Sequence, residues 1–339
     1  MKSRSIWTGT AAAVGMLVLI LDSRTAIHGM QAGIDLCLRT LIPSLFPFFL
    51  LSILITSSLL GKSLKFLGPI GRLCGIPSGA ESLLAVGLLG GYPVGAQNVA
   101  LAYRNGCLSK TDAERMISFC NNAGPAFLFG IIGAAFDSLW VPWALWGIHV
   151  VSAVLIGAIS NPGIQPDKVR VPQQSITLSQ ALQKALSVMA QVAGWVVLFR
   201  MVLTYLERWF LWMLPVEWQV ILSGSLELSN GCIQLRSIGN EGLRVLAASV
   251  MLALGGACVG FQTSSVTGDL RLQPYFLGKL LQAAISFLLA LCMQYFLPAQ
   301  NRCTIHPALT AAVFLFAAVL VRLLRKNQNY SSIPMVIGV

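Results

Sequence analysis

Residues 81–104 read ESLLAVGLLGGYPVGAQNVALAYR. The run is apolar and long enough to cross a bilayer, which takes about 20 residues. Its centre, however, is Gly90-Gly91-Tyr92-Pro93-Val94-Gly95. Glycine and proline in that position break a helix. The freed backbone groups find no water in lipid, so a broken segment is tolerated only where protein encloses it. The stretch therefore predicts a re-entrant hairpin, two half-helices meeting at a tip inside the membrane. A second stretch, residues 218–236 (WQVILSGSLELSNGCIQLR), has the same construction, with Glu227, Ser229, Asn230 and Gly231 at its centre.

Around these two stretches lie apolar runs at about 6–22, 41–60, 116–137, 141–160, 189–210, 245–263, 273–297 and 306–321. The composition agrees. Of 339 residues 56% are hydrophobic and 10% charged, against roughly 25% charged in soluble domains. So few charges cannot cover a soluble surface of this size. The expected fold is an all-α polytopic membrane protein of about eight transmembrane helices plus two re-entrant hairpins, with membrane lipids as its solvent.

The net charge of +11 is expected to sit on cytoplasmic loops that face an anionic leaflet; nucleic acid is not the expected partner. Eight spans and two hairpins that do not cross put both termini on one side. That side then carries 15 Lys and Arg against 6 on the other. The bias places the N- and C-termini in the cytoplasm of a multi-pass cell-membrane protein. Lys2 and Arg4 precede the first run as in a signal peptide, but Asp22-Ser23-Arg24 follows it in place of a small-residue cleavage site, so an uncleaved span is expected. The eight cysteines form no C-x-x-C pair and lie mostly in apolar runs. They read as small buried hydrophobes, not as a disulfide framework or metal site.

The two halves share an order of features. Each runs amphipathic segment (26–40; 177–188), span, hairpin, interrupted span, span. The interruptions are Asn121-Asn122-Ala123-Gly124-Pro125 and Gly255-Gly256-Ala257-Cys258. Three crossings per unit is an odd number, so the second unit is expected to be inverted. Paired Gly/Pro breaks in corresponding positions point to a transporter's binding site; glycines that only let helices pack closely are the alternative.

The residues around these breaks resemble a known family. Gly90 to Ala96, Leu108-Ser109-Lys110, Ala113-Glu114-Arg115 and Ser118 to Pro125 resemble the YlbJ family of integral membrane proteins from spore-forming bacteria. Leu226 to Gly231 and Gly255-Gly256 through Gln262 look like its second, more divergent unit, although Cys258-Val259-Gly260-Phe261 departs from the family pattern. The resemblance implies two Gate (nucleoside-recognition) units, as in concentrative nucleoside transporters and the membrane part of ferrous-iron transporters. It also implies a link with late spore formation and movement of dipicolinate, an aromatic dicarboxylate. The corresponding organisation is an N-terminal helix (1–25), a first Gate-like repeat (26–160), a cytoplasmic linker (161–176), a second repeat (177–300), and a C-terminal helix with a short tail (301–339).

Gly61-Lys62-Ser63 imitates the end of a phosphate loop, but Thr56 stands where its first glycine should be. No metalloprotease or nucleophile-elbow motif occurs, so neither an enzyme nor a cofactor is expected. His28 and His306 fall near span ends, and His149 is mid-span, where a packed, hydrogen-bonded histidine is the ordinary reading. Charges inside the membrane are expensive and tend to face a cavity. Glu227 at a hairpin tip is read either as a solute- or proton-binding carboxylate or as a cap on the second half-helix. Arg200 is read as pairing with an acid or with solute, or as snorkelling or paired with Glu207. Glu81, Asp112 and Glu114 read as first-turn acids.

The candidate solute-binding residues are those at the four breaks: Gly91, Tyr92 and Pro93 with Gln97 and Asn98; Asn121, Asn122, Gly124 and Pro125; Glu227, Ser229 and Asn230; and Gln262 with Ser264. The function expected from them is a carrier of a small polar or anionic solute working by alternating access. A coupling ion or proton and a homo-oligomer are compatible with the sequence. The alternatives are a scaffold of the spore envelope that transports nothing, and a nucleoside carrier.

Overall fold

The computed structural model describes residues 2–163 and 176–331. Most of the expected linker at 161–176, and the tail after Ser331, lie outside these residues. The described residues form helices and no strands. Seven helices are long and apolar enough to cross a membrane: Ser23–Leu59, Lys110–Ala135, Trp140–Ile159, Leu178–Trp209, Glu241–Thr267, Gln273–Phe296 and Pro307–Lys326. The first of the eight expected runs falls in the helix Lys2–Leu21, whose apolar part, Gly9–Leu21, is too short to rank with those seven.

The two segments expected as separate amphipathic elements run without a break into their spans, which gives long helices of 37 and 32 residues. Nothing between residues 26 and 60 stops the first one. Pro43 would clash with the carbonyl four residues earlier, that of Arg39, and there the chain loosens into a π turn, Cys37–Leu41, and continues. The second begins at a capping box: Thr177 Oγ1 accepts from Gln180 N at 3.3 Å and Gln180 Oε1 accepts from Thr177 N at 3.0 Å. The two long helices lie antiparallel. Tyr205 Oη donates to Asp22 O at 2.7 Å, Gly29 and Gly33 sit against the backbone of Met201 and Val197, and Cys37 Sγ reaches Ala193 O at 3.9 Å.

Both predicted hairpins are pairs of short helices: Glu81–Leu89 with Val94–Arg104, and Val216–Leu226 with Leu228–Gln234. Polar contacts hold the outer ends of each pair. At the first, Glu81 Oε2 accepts from Gly79 N at 2.8 Å, and Tyr103 Oη and Lys110 Nζ donate to Asp269 at 3.3 and 2.9 Å. At the second, Arg236 reaches Ala134 O at 3.1 Å and Asp137 at 2.5 Å, while Arg244 donates to Ala135 O at 2.6 Å. The span Lys110–Ala135 runs from one group of contacts to the other.

Both interrupted spans are broken where expected. Lys110–Cys120 stops before an extended stretch, and Pro125 restarts the helix behind Gly124. Glu241–Leu254 ends on Gly255 in the left-handed conformation, and Gly256–Thr267 follows. The halves exchange partners symmetrically. Each interrupted span packs on the closing helix of the other half, Gln273–Met293 or Trp140–Ile159, and the second arm of each hairpin packs on the interrupted span of the other half. Of the expected first-turn acids, Asp112 stays local, with its N–H held by Ser109 Oγ at 3.0 Å. Glu114 instead crosses to the other half and accepts from Arg271 N and Nε, both at 3.0 Å.

Glycine sets how closely the hairpins approach the breaks. A methyl group on Gly87 or Gly95 would stand 1.8 or 1.9 Å from the Cys120 carbonyl oxygen. In the second half, one on Gly256 would stand 2.7 Å from Gly224 O. Backbone packed on backbone cannot yield as a side chain can. Gly95→Ala is therefore expected to cost more than about 3 kcal/mol and to abolish a monodisperse folded protein in detergent. Gly147→Ala, whose added methyl meets nothing within 4 Å, is expected to leave thermal unfolding unchanged or slightly raised. Comparison of the two melting curves checks this.

Candidate functional site

A cavity lies where the two hairpin tips meet the two breaks. Each half supplies the same three elements to its wall. From the first come Leu41 and Leu45 of the long helix, Gly91 and Tyr92 of the hairpin tip, and Ala123, Gly124 and Phe127 of the break. From the second come Val192 and Val196, Glu227, Leu228 and Ser229, and Val259 and Gln262. The space open to the centres of water molecules is about 30 Å³, room for about two waters. The wall is mostly apolar, with Glu227, Ser229 and Gln262 as its polar side chains.

Glu227 is 2% exposed and caps the second arm of its hairpin. Its carboxylate accepts from Ser229 N at 3.1 Å, Asn230 N at 2.8 Å and Asn230 Nδ2 at 2.6 Å. The capping reading is thus the local geometry, and the same carboxylate also borders the cavity. Three charge-assisted bonds offset much of the cost of burying it. Gln262 donates to Cys258 Sγ at 3.3 Å. Arg200 is engaged away from the cavity, by Glu207 at 2.8 Å.

Of the fourteen residues singled out from the sequence, Gly91, Tyr92, Gly124, Glu227, Ser229 and Gln262 line the cavity. Pro93, Pro125 and Asn230 are outside the lining and follow Tyr92, Gly124 and Ser229 in the chain. Asn121 and Asn122 are wholly buried and occupied elsewhere. Asn121 Oδ1 accepts from Ala96 N at 3.3 Å and its Nδ2 donates to Thr263 Oγ1 at 2.9 Å, stitching hairpin, break and opposite half together. Asn122 Nδ2 donates to Phe119 O at 2.7 Å, and its Oδ1 faces Lys279 and Gln282. Gln97 and Asn98 lie in the second hairpin arm outside the cavity lining, and Ser264 is exposed on the outer side of its helix.

Sequence reasoning missed Lys279. It lies in the closing helix Gln273–Met293, is 2% exposed, and anchors a polar network. Its Nζ donates to Gln282 Oε1 at 2.8 Å and Asn122 Oδ1 at 3.1 Å. Gln282 Nε2 continues to Asn122 Oδ1, His149 O and Ser152 Oγ at 3.2–3.3 Å. His149 is packed as expected, its Nε2 accepting from Ala123 N at 3.1 Å. The signal that should have found Lys279 was its position as a charge inside an apolar span. All eight cysteines are free thiols, six of them buried.

The chain is similar to a sporulation membrane protein. That protein is the sporulation integral membrane protein YlbJ of Bacillus subtilis (strain 168), 25% identical over 319 residues, which cover 78% of this chain and 76% of that one. No protein-family model matches the chain, and no solved structure does.

Glu227→Gln puts an amide NH₂ where an oxygen now accepts backbone N–H groups. A buried donor left facing a donor costs about 1–3 kcal/mol. The variant is expected to unfold at lower temperature than the wild type, and Ser229→Ala, which keeps the backbone donor, is expected to melt near the wild type. Thermal unfolding in one detergent compares all three.

Proposed function

We propose that the protein is a carrier that moves a small polar or anionic solute across a membrane by alternating access. The observation that supports this most is the cavity's construction: the long helix, the hairpin and the interrupted span of each half converge on one small space. In this reading the halves are inverted repeats, with the first hairpin re-entering from the cytoplasm and the second from outside. Both termini are then cytoplasmic, as the Lys and Arg bias favours.

The cavity as it stands holds about two waters, too little for an aromatic acid. It therefore corresponds to a closed conformation, and solute entry requires one hairpin to move off its break. Similarity to a sporulation integral membrane protein supports a place for this carrier in spore formation. The residues shared with that family favour a dipicolinate-like aromatic dicarboxylate as the solute, with a nucleoside as the competing choice.

The test is uptake by liposomes containing the pure protein, offered a panel of radiolabelled aromatic carboxylates and nucleosides. Time-dependent, saturable uptake of an aromatic dicarboxylate above that of protein-free liposomes is expected. Uptake of nucleosides alone would change the solute class, and uptake of neither would leave the protein a scaffold.

A further inference from the structure

Lys279 is the seventh residue of the closing helix Gln273–Met293, well inside the apolar part of the bundle. An ammonium has three N–H donors. Two are taken by Asn122 Oδ1 and Gln282 Oε1, and both acceptors are neutral. Among the described residues no carboxylate forms an ion pair with it, although seven other pairs form. The rest of the ammonium faces aromatic rings, with the Tyr92 centroid 5.2 Å and the Tyr275 centroid 5.9 Å from Nζ. Amides and ring faces solvate a cation, but they leave its charge uncompensated in a medium where that is costly.

Tyr92 ties this charge to the cavity. Its side chain belongs to the cavity wall and also faces Lys279. Its hydroxyl is held by Leu252 O at 3.1 Å, on the interrupted span of the other half. A relative shift of the two halves would break that bond and free the ring to turn aside.

We propose that Lys279 is the charge that recognises a carboxylate of the solute, reached when Tyr92 turns away. Asn122 and Gln282 keep two of its donors and aim the third, and the carboxylate supplies the missing counter-charge. The ring of an aromatic acid then takes the place that Tyr92 vacates. This deepens the carrier reading and rests on it.

Calorimetry on the full-length protein in lipid nanodiscs tests it, with pyridine-2,6-dicarboxylate and its neutral diamide as probes. The wild type is expected to bind the dicarboxylate at least tenfold tighter than the diamide. Lys279→Gln is expected to lower the dicarboxylate affinity at least tenfold and leave that of the diamide unchanged. Asn122→Asp places a permanent carboxylate beside Nζ, keeps the ammonium, and is expected to have the same effect by competition. Asn122→Asp therefore decides the matter even where Lys279→Gln does not fold. Dicarboxylate affinity within twofold of wild type in Asn122→Asp, or equal binding of both probes by the wild type, would overturn the role of Lys279 alone. A wild type that binds neither probe overturns the carrier reading and this inference with it.

Discussion

Two helical hairpins lie with their backbones against the backbones of two broken helices, and most of the structure depends on that contact. At the first crossing the Cys120 carbonyl fills the space where side chains on Gly87 and Gly95 would be; at the second, Gly224 and Gly256 meet in the same way. Apolar burial does not drive helices together inside a bilayer, so close packing and hydrogen bonds must do so. Both are present at the crossings. The approach is close enough for Asn121 to bridge from Ala96 to Thr263. It also brings the hairpin tips close enough to enclose a cavity instead of filling it.

The buried charges follow from the same geometry. A half-helix that begins inside the membrane exposes N–H groups that need acceptors. Glu227 supplies them at the second hairpin, so its charge is spent on its own backbone as well as facing the cavity. The first hairpin has no acid at its tip; there Gly91 O accepts from Val94 N at 2.9 Å and Asn121 Oδ1 accepts from Ala96 N at 3.3 Å. The opposite charge, Lys279, is held at the first break by amides. Both charges come from the second half, and only Glu227 borders the cavity; Lys279 lies behind Tyr92.

Much of this was legible in the sequence, because lipid punishes broken backbone and lone charges so heavily. Gly90 to Gly95 and Glu227 to Gly231 read as helix breaks, and the helices are interrupted between Leu89 and Val94 and at Glu227, although Leu228 to Gly231 are already helical. Pro125 marked a helix restart, and there is one. Which side chains face the cavity was not legible. The hairpin tips and breaks were located correctly, yet Asn121 and Asn122 turn toward the opposite half, because a break rotates the following residues off the helical period on which facing is judged. The long helices were read as two pieces because amphipathicity changed near residues 40 and 188. A change of packing partners along one continuous helix produces the same pattern. Lys279 lay in an otherwise apolar span, where only its burial and the absence of an acid beside it distinguish it from a snorkelling lysine.

The central claim is that the cavity between the crossings opens in turn to each side of the membrane. Val196→Cys places a thiol on the cavity wall. In a background without Cys292 and Cys303, the two native cysteines that are not buried, this thiol can be tested with a small membrane-impermeant reagent applied to one side at a time. The account predicts labelling from both sides, slowed on both by a transported solute. Labelling from one side only, or from neither, would contradict it.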